Sequence, residues 1–371
     1  MKQEKKIGII GKILWIITFS LSILLLLSII SPSISPSKLW IFAFFGLAYP
    51  YIATLTAIFT LLLLFFSLRR TFFPILIFII GISQCRNTVN ISNANNKATS
   101  ESNSFKILSQ NIHIFGAYDN PKKNTSDSVI NLIKQENPDI ACFQEYFDCE
   151  RITQKSINDI KKIGNFLNYS SSLYTDSLSD PFLKIITFSK FPIINEGVVK
   201  TANNLYRDVF ALWSDIIIEN DTCRIYNIHL QSIGFTSKEE DLFKNNYKND
   251  EIEKKSKSTV RKLKRAFIAR SQEADELALH IKKCKYPTFL IGDFNDTPVS
   301  YTYKKLIDKK QDAFKKCGKC GIGKTYNGVF PSFRIDYIFY PKQFEAKNFK
   351  IHNKKTYSDH FPISCEIQKI K

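Results

Sequence analysis

The chain has 371 residues, with 52 Lys and Arg against 34 Asp and Glu and a formal net charge of +18 at pH 7. That length can bury one large core or two small ones, and eight cysteines spread along it exclude a disulfide-scaffold protein. The basic balance would attract polyphosphate, nucleic acid or anionic lipid, but Lys is common throughout, so charge alone selects none of them.

Apolar runs crowd the N-terminus. Residues 13 to 30 read ILWIITFSLSILLLLSII, without a charge, after a start carrying Lys2, Lys5, Lys6 and Lys12. A signal peptide could begin this way, but residues 39 to 66 form a second uncharged run and residues 71 to 84 a shorter third. The expectation is a transmembrane anchor over residues 1–85 with about three helices. Two Ser-Pro steps turn the chain between the first two runs, and Arg69 and Arg70 lie between the last two. Excess basic charge stays on the cytoplasmic side, which places the N-terminus and Arg69–Arg70 there. Three spans put the rest of the chain outside and two would leave it inside; three is the expected count. Residues 86–103, rich in Asn, Ser and Thr, predict a flexible linker.

The remaining segment, 104–371, alternates strands and helices. FKILSQNIHIF predicts a strand, and SVINLIKQENPDIACFQE a helix, a break at Pro138 and a strand ending at Gln144 and Glu145. KIITFSKFPI and DVFALWSDIII predict two neighbouring strands, and DTCRIYNIHLQS a hairpin-like return ending at His229. Residues 237 to 283 are highly charged and end in a helix; within them, residues 238 to 265 read as an insert outside the core. YPTFLIGDFN closes a strand at Asp293, RIDYIFY gives another and SDHFPISCEIQ the last. Many strands with carboxylates at their ends indicate a mixed α/β domain with its site on the sheet rim. Cys317 and Cys320 form one CxxC, which could be a disulfide, half a zinc site or neither. Without a second CxxC a structural zinc site is discounted, and in an extracytoplasmic domain a local Cys317–Cys320 disulfide is the better reading.

The polar residues that interrupt apolar runs carry the chemistry. They are Asn111, Glu145, Asn227, His229, Asp293, Asn295, Asp336, Asp359 and His360. A carboxylate closing an apolar strand is costly unless it is paired or bound to metal, and several such residues indicate convergence at one end of a sheet. Carboxylates with Asn and few sulfur ligands suit Mg²⁺ or Mn²⁺ rather than zinc, and His229 and His360 suit acid–base work. In order, the Asn111 strand, Gln144–Glu145, NIHL at 227–230, GDFN at 292–295, RIDYI at 334–338 and SDH at 358–360 resemble the endonuclease/exonuclease/phosphatase superfamily. The resemblance covers almost all of the domain after the linker, and with the three-span leader it is similar to membrane-bound bacterial members.

That resemblance implies an α/β fold, a four-layer sandwich of two mixed β-sheets flanked by helices and preceded by transmembrane helices. It implies divalent-metal-dependent hydrolysis of a phosphate ester, a phosphodiester by preference, through water attack at phosphorus. Glu145, Asn111 and Asp359 would hold Mg²⁺ or Mn²⁺. Asp293 and Asn295 would position the water, Asp336 would orient His360, and His229 would meet a phosphate oxygen or the leaving group. Asn227, Asn204, Arg207 and Arg334 are candidate substrate contacts; Asn227 could instead only brace its strand, and Arg334 could hold the loop of Asp336. His113 falls outside the pattern and reads as a loop-side surface or pocket residue. The expected partners are the lipid bilayer and a phosphate-ester substrate, with no obligate protein partner evident. The expected place is the bacterial inner membrane, multi-pass, with the domain facing the periplasm or extracytoplasmic side. Other readings are a nucleic-acid-specific nuclease, a phospholipid or inositol-phosphate hydrolase, and a non-catalytic tethered domain.

Overall fold

The computed structural model describes residues 8–91, 104–116, 125–147, 156–173, 183–201, 209–234, 249–328, 333–354 and 358–370. The N-terminal apolar runs become α1 (Ile9–Ile30), α2 (Pro36–Leu39), α3 (Ile41–Leu64), α4 (Leu68–Ile80) and α5 (Ile82–Thr88). At 22 and 24 residues, α1 and α3 are long and apolar enough to cross a bilayer. The third run, expected as one helix, is broken at Gly81: α4 and α5 meet at a bend of 59° and reach span length only as a pair.

Hydroxyl contacts order these helices. Thr18 Oγ1 lies 3.4 Å from the Phe59 carbonyl and Thr56 Oγ1 3.4 Å from that of Leu21, so α1 and α3 run antiparallel. The α4–α5 pair runs alongside α1. Arg70 lies over the Trp15 ring, Phe73 against Phe19, and Gln84 Nε2 donates to the Ile29 carbonyl at 3.1 Å.

The expected linker does not begin at Arg86. Helix α5 continues to Thr88, and Asn90 is buried with its backbone paired to Gly321 in both directions at 2.9 Å. Its side-chain amide donates to the carbonyls of Phe314 and Gly318, which ties the N-terminal helices to the domain.

Twelve strands form two six-stranded sheets among the described residues. The first has the order β11 (Phe344–Ile351), β12 (Ile363–Lys369), β1 (Ser104–Asn111), β2 (Ile140–Phe147), β4 (Leu183–Ser189), β3 (Asn168–Leu173). The second has the order β5 (Ile193–Lys200), β6 (Val209–Ile218), β7 (Asp221–His229), β8 (Thr288–Asp293), β10 (Asp336–Pro341), β9 (Lys310–Asp312). Only β1–β2 and β7–β8 are parallel, so both sheets are mixed.

Between the sheets, Ile107, Cys142, Ile225, Phe289 and Ile363 share one core. Outside the first sheet, α6 (Ser126–Glu136) and α7 (Ile157–Ile163) bury Leu132, Ile133 and Ile160. Outside the second, α8 (Asn249–Lys282) and α9 (Tyr301–Leu306) bury Ala274, Leu277 and Leu306. A short α10 (Ala313–Cys317) follows β9. This is the expected four-layer sandwich.

Three local expectations fail. β4 and β6 are not neighbours but belong to different sheets, because the chain changes sheets after Lys190: the Lys190 N–H donates to Asp139, whereas Pro192 accepts from Ile217. Cys317 and Cys320 are both free thiols. Cys317 faces the core beside Cys365, while Cys320 is exposed, so the two point into different surroundings. The insert expected outside the core contributes at its C-terminal end: Leu263 is buried and the Lys264 ammonium lies over Trp40 of the N-terminal helices. Residues 238–248 of that insert lie outside the described residues.

The N-terminal helices also dock through the α1–α3 turn. Lys304 donates to Ser33 Oγ and the Ser37 and Ser271 hydroxyls meet, both at 2.7 Å, while Phe44 packs edge-on against Phe267. The α1–α3 turn and the end of α5 therefore meet the domain on the same side.

Candidate active site

Strand register gathers the polar residues. In the second sheet His229 pairs with Asp293 across β7–β8, and Asp336 pairs with Asp293 across β8–β10, so three neighbouring strands present them in a row. In the first sheet Asn111 pairs with Gln144, which places Glu145 at the same rim. Gly292 makes the close approach possible: at φ +130, a Cβ there would stand 2.2 Å from the Ile228 carbonyl oxygen.

Glu145 sits at a bulge where the β2–β4 register shifts between Phe143 and Tyr146, and it adopts φ 50. A left-handed glutamate inside a strand stores roughly 1–3 kcal/mol of strain, which the surrounding sheet must offset. The result aims the carboxylate into the rim. Asn111 Nδ2 donates to Glu145 Oε1 at 3.0 Å and to Asp293 Oδ2 at 3.2 Å, joining the two sheets through one amide. His229 Nε2 lies 3.5 Å from Glu145 and 3.7 Å from Asp293.

Asp293 is fully buried. Asn295 holds both its oxygens, the backbone N–H donating at 2.8 Å and Nδ2 at 3.0 Å, from a left-handed turn at φ 52. Burial pushes the Asp293 carboxyl well up from the carboxylate range; His360 opposes this and Asp336 adds to it. Asp336 holds Nδ1 of His360 with both oxygens, at 3.1 and 3.0 Å, and Nε2 of His360 lies 3.7 Å from Asp293. Burial works against a charge on His360, but Asp336 and Asp293 outweigh it and hold the imidazole well above its ordinary pKa. The two carboxylates thus favour the charged imidazolium of His360.

Asp359 stands nearer solvent, and the structure adds a residue beside it that lay outside the sequence pattern. His113 Nδ1 is 3.3 Å from Asp359 and 3.7 Å from Glu145. It reaches them because His113, Ile114 and Phe115 all take positive φ, after Asn111 Oδ1 accepts the His113 N–H at 3.0 Å. Three successive left-handed residues leave no signature in residue type, so only the spacing of two from Asn111 could have suggested this position. Tyr326 was also missed; its ring stands 5.2 Å from that of His360.

Two expected substrate contacts do not face the rim. Asn227 is fully buried between the sheets. Its Oδ1 accepts from Gln144 at 2.6 Å, and its Nδ2 donates to the Ile186 carbonyl at 2.8 Å and reaches Phe143 and Thr187. Fully buried among these partners, it is a brace and does not meet substrate. Arg334 is buried too, donating to Asp312 at 2.6 Å and to the Asn87 carbonyl at 2.7 Å, with its guanidinium over Phe314 and Tyr337. It ties the end of α5 to the loop before Asp336. Asn204 and Arg207 lie outside the described residues.

Two groups could take a cation. Asp293, Asp336 and His360 offer ligand atoms that all lie within 4.8 Å of one another. In that trio Nδ1 of His360 is already engaged by both Asp336 oxygens, which leaves only Nε2 open to a further partner. The oxygen donors of Glu145, Asn111 and Asp359 beside it are of the kind a hard divalent ion takes, and Glu145 and Asp359 are partly open to solvent.

Comparison with known proteins agrees with this fold. The Endonuclease/Exonuclease/phosphatase family matches residues 103–360, and a family described as a domain of unknown function matches residues 11–88. Among solved structures, an endonuclease/exonuclease/phosphatase from Beutenbergia cavernae superposes with a TM-score of 0.52 at 15% identity, covering 72% of each chain. The endonuclease/exonuclease/phosphatase from Bacteroides vulgatus gives 0.50 at 18% identity, covering 72% of this chain and 99% of its own. A search of curated proteins finds no match.

Proposed function

The chain belongs to the Endonuclease/Exonuclease/phosphatase family, and we propose that it is a membrane-anchored, divalent-metal-dependent phosphodiesterase. The observation that carries this reading is the meeting of Glu145, Asn111, His229, Asp293 and the Asp336–His360 pair at one rim of both sheets. Glu145, Asn111 and Asp359 would hold Mg²⁺ or Mn²⁺, which supplies a Lewis acid for charge gathering on the phosphoryl oxygens. Asp293, with a raised proton affinity and both oxygens fixed by Asn295, takes the proton of the attacking water. His360, kept cationic by Asp336, stabilises the added negative charge on phosphate. His229, beside both carboxylates, delivers a proton toward the leaving oxygen. His113 orients Asp359.

The same reading covers placement. Arg70 lies at the level of Trp15, and the α1–α3 turn and the end of α5 meet the domain together. This supports α4–α5 crossing as one bent span, with the basic ends in the cytoplasm and the domain outside. A panel of plasmid DNA, RNA, phospholipid vesicles and inositol phosphates, each with Mg²⁺ or Mn²⁺, tests the activity. Metal-dependent release from one ester class supports it, and inert behaviour toward all of them overturns it.

A further inference from the structure

A second feature lies where the catalytic domain meets α3. Gly46 and Pro50 of α3 face Thr297 and Val299 of the loop that follows Asp293, and Ile322 and Phe333 complete an apolar crevice between them. The crevice shares both of its domain loops with the catalytic rim. Thr297 is next to Asp296, whose carbonyl accepts from Tyr337, and Phe333 is three residues before Asp336. The Phe333 carbonyl accepts from the Tyr326 N–H at 3.0 Å, and the Tyr326 ring faces His360. On its other side the Phe333 ring packs at 6.2 Å against Tyr51 of α3. A continuous path of contacts thus leads from the catalytic imidazolium to the surface of a membrane-length helix.

Two details indicate the occupant. The mouth is apolar and open: Ile322 is 51% exposed, and Tyr51 of α3, 56% exposed, stands against Phe333 on a helix of membrane-spanning length and hydropathy. Within the crevice, Thr297 is buried and its hydroxyl has no hydrogen-bond partner among the described residues, leaving it able to donate to an ester or glycerol oxygen. A polyanionic nucleic acid does not match the apolar mouth.

We propose that this crevice seats an acyl chain of a membrane lipid whose head-group phosphate ester is the substrate of the neighbouring site. The proposal rests on the phosphodiesterase reading and narrows its substrate to lipids held in the bilayer. Hydrolysis breaks the phosphorus–oxygen bond to the leaving alcohol; water supplies the new oxygen and its proton passes to that alcohol.

The test uses the full chain reconstituted in phosphatidylglycerol–phosphatidylethanolamine vesicles, with bis-p-nitrophenyl phosphate as a soluble diester. Ile322→Asp places a charge at the mouth of the lipid path without touching the catalytic residues. It should lower hydrolysis of vesicle lipid at least about tenfold while leaving the soluble diester within about twofold, as expected for one carboxylate in an apolar route. A diazirine-bearing phosphatidylethanolamine should label the wild-type chain at Phe333 or Val299, and less so the variant. Equal effects on both substrates, no effect on either, or labelling elsewhere would overturn the crevice. Labelling at the crevice in a chain that hydrolyses no ester would keep the lipid site and remove the phosphodiesterase reading.

Discussion

The Asp336→Asn substitution separates the charge on His360 from its position. Asp336 and His360 are both nearly inaccessible to solvent, and two contacts of 3.0 and 3.1 Å join the carboxylate to Nδ1. Asparagine keeps the shape and an acceptor but removes the negative charge. A hydrogen bond to a charged group contributes about 1.5–3 kcal/mol, which predicts a fall in kcat of roughly 10- to 150-fold. The pH profile carries the sign. Asp336 raises the His360 pKa, so a rate that needs the imidazolium is sustained below that pKa and lost as pH rises through it. Without Asp336 the pKa falls, and the alkaline limb of kcat must move to lower pH. The assay is steady-state hydrolysis of a soluble diester at saturating Mn²⁺ across pH, with an NMR titration of the imidazole. Combining it with His360→Ala should give less than the sum of the single effects, because the pair acts as a unit. An unmoved alkaline limb, or full additivity, would refute the coupled pair.

Three further outcomes follow from the same geometry. Glu145→Gln should leave the fold intact by circular dichroism and weaken Mn²⁺ binding in calorimetric titration by more than about tenfold, since loss of even an outer-shell partner costs that much; unchanged affinity would remove Glu145 from the metal site. Arg334→Met strands the buried Asp312 carboxylate and should cost about 3–5 kcal/mol in chemical unfolding while leaving KM alone; a KM change in a stable variant would restore a substrate role. A C-terminal alkaline phosphatase fusion should be active and a green fluorescent fusion dark, and the reverse pair would place the domain in the cytoplasm.

Much of the fold is written locally, and the exceptions have physical causes. Strands β1, β7 and β8 are apolar runs closed by a polar residue, β2 carries Gln144–Glu145 near its end and β10 opens on Asp336, so sequence locates their rims directly. β3, NYSSSL, has no apolar alternation, and β5 carries Glu196 and Gly197 at a sheet edge; neither signals a strand alone. Sheet membership is non-local, which is why β4 and β6 read as neighbours. Within the site, residue type identified polar groups but not the direction they face. Asn227 shares the inward face of β7 with His229, but it lies two residues further from the rim, where Gln144 and the Ile186 carbonyl take its amide. Arg334 turns toward Asp312 because that carboxylate is buried across the β9–β10 edge. His113 reaches the site through backbone torsions that no side-chain pattern encodes.

The central claim is that water attacks phosphorus at a metal-dependent site on this rim. Its most direct test is a turnover in isotopically heavy-oxygen water with the wild-type chain and the ester selected by the substrate panel, with Mn²⁺ and then with a chelator. The account predicts one heavy oxygen in the phosphate-bearing product, none in the released alcohol, and no product once the metal is removed. Heavy oxygen in the alcohol, or undiminished turnover with the chelator, would contradict it.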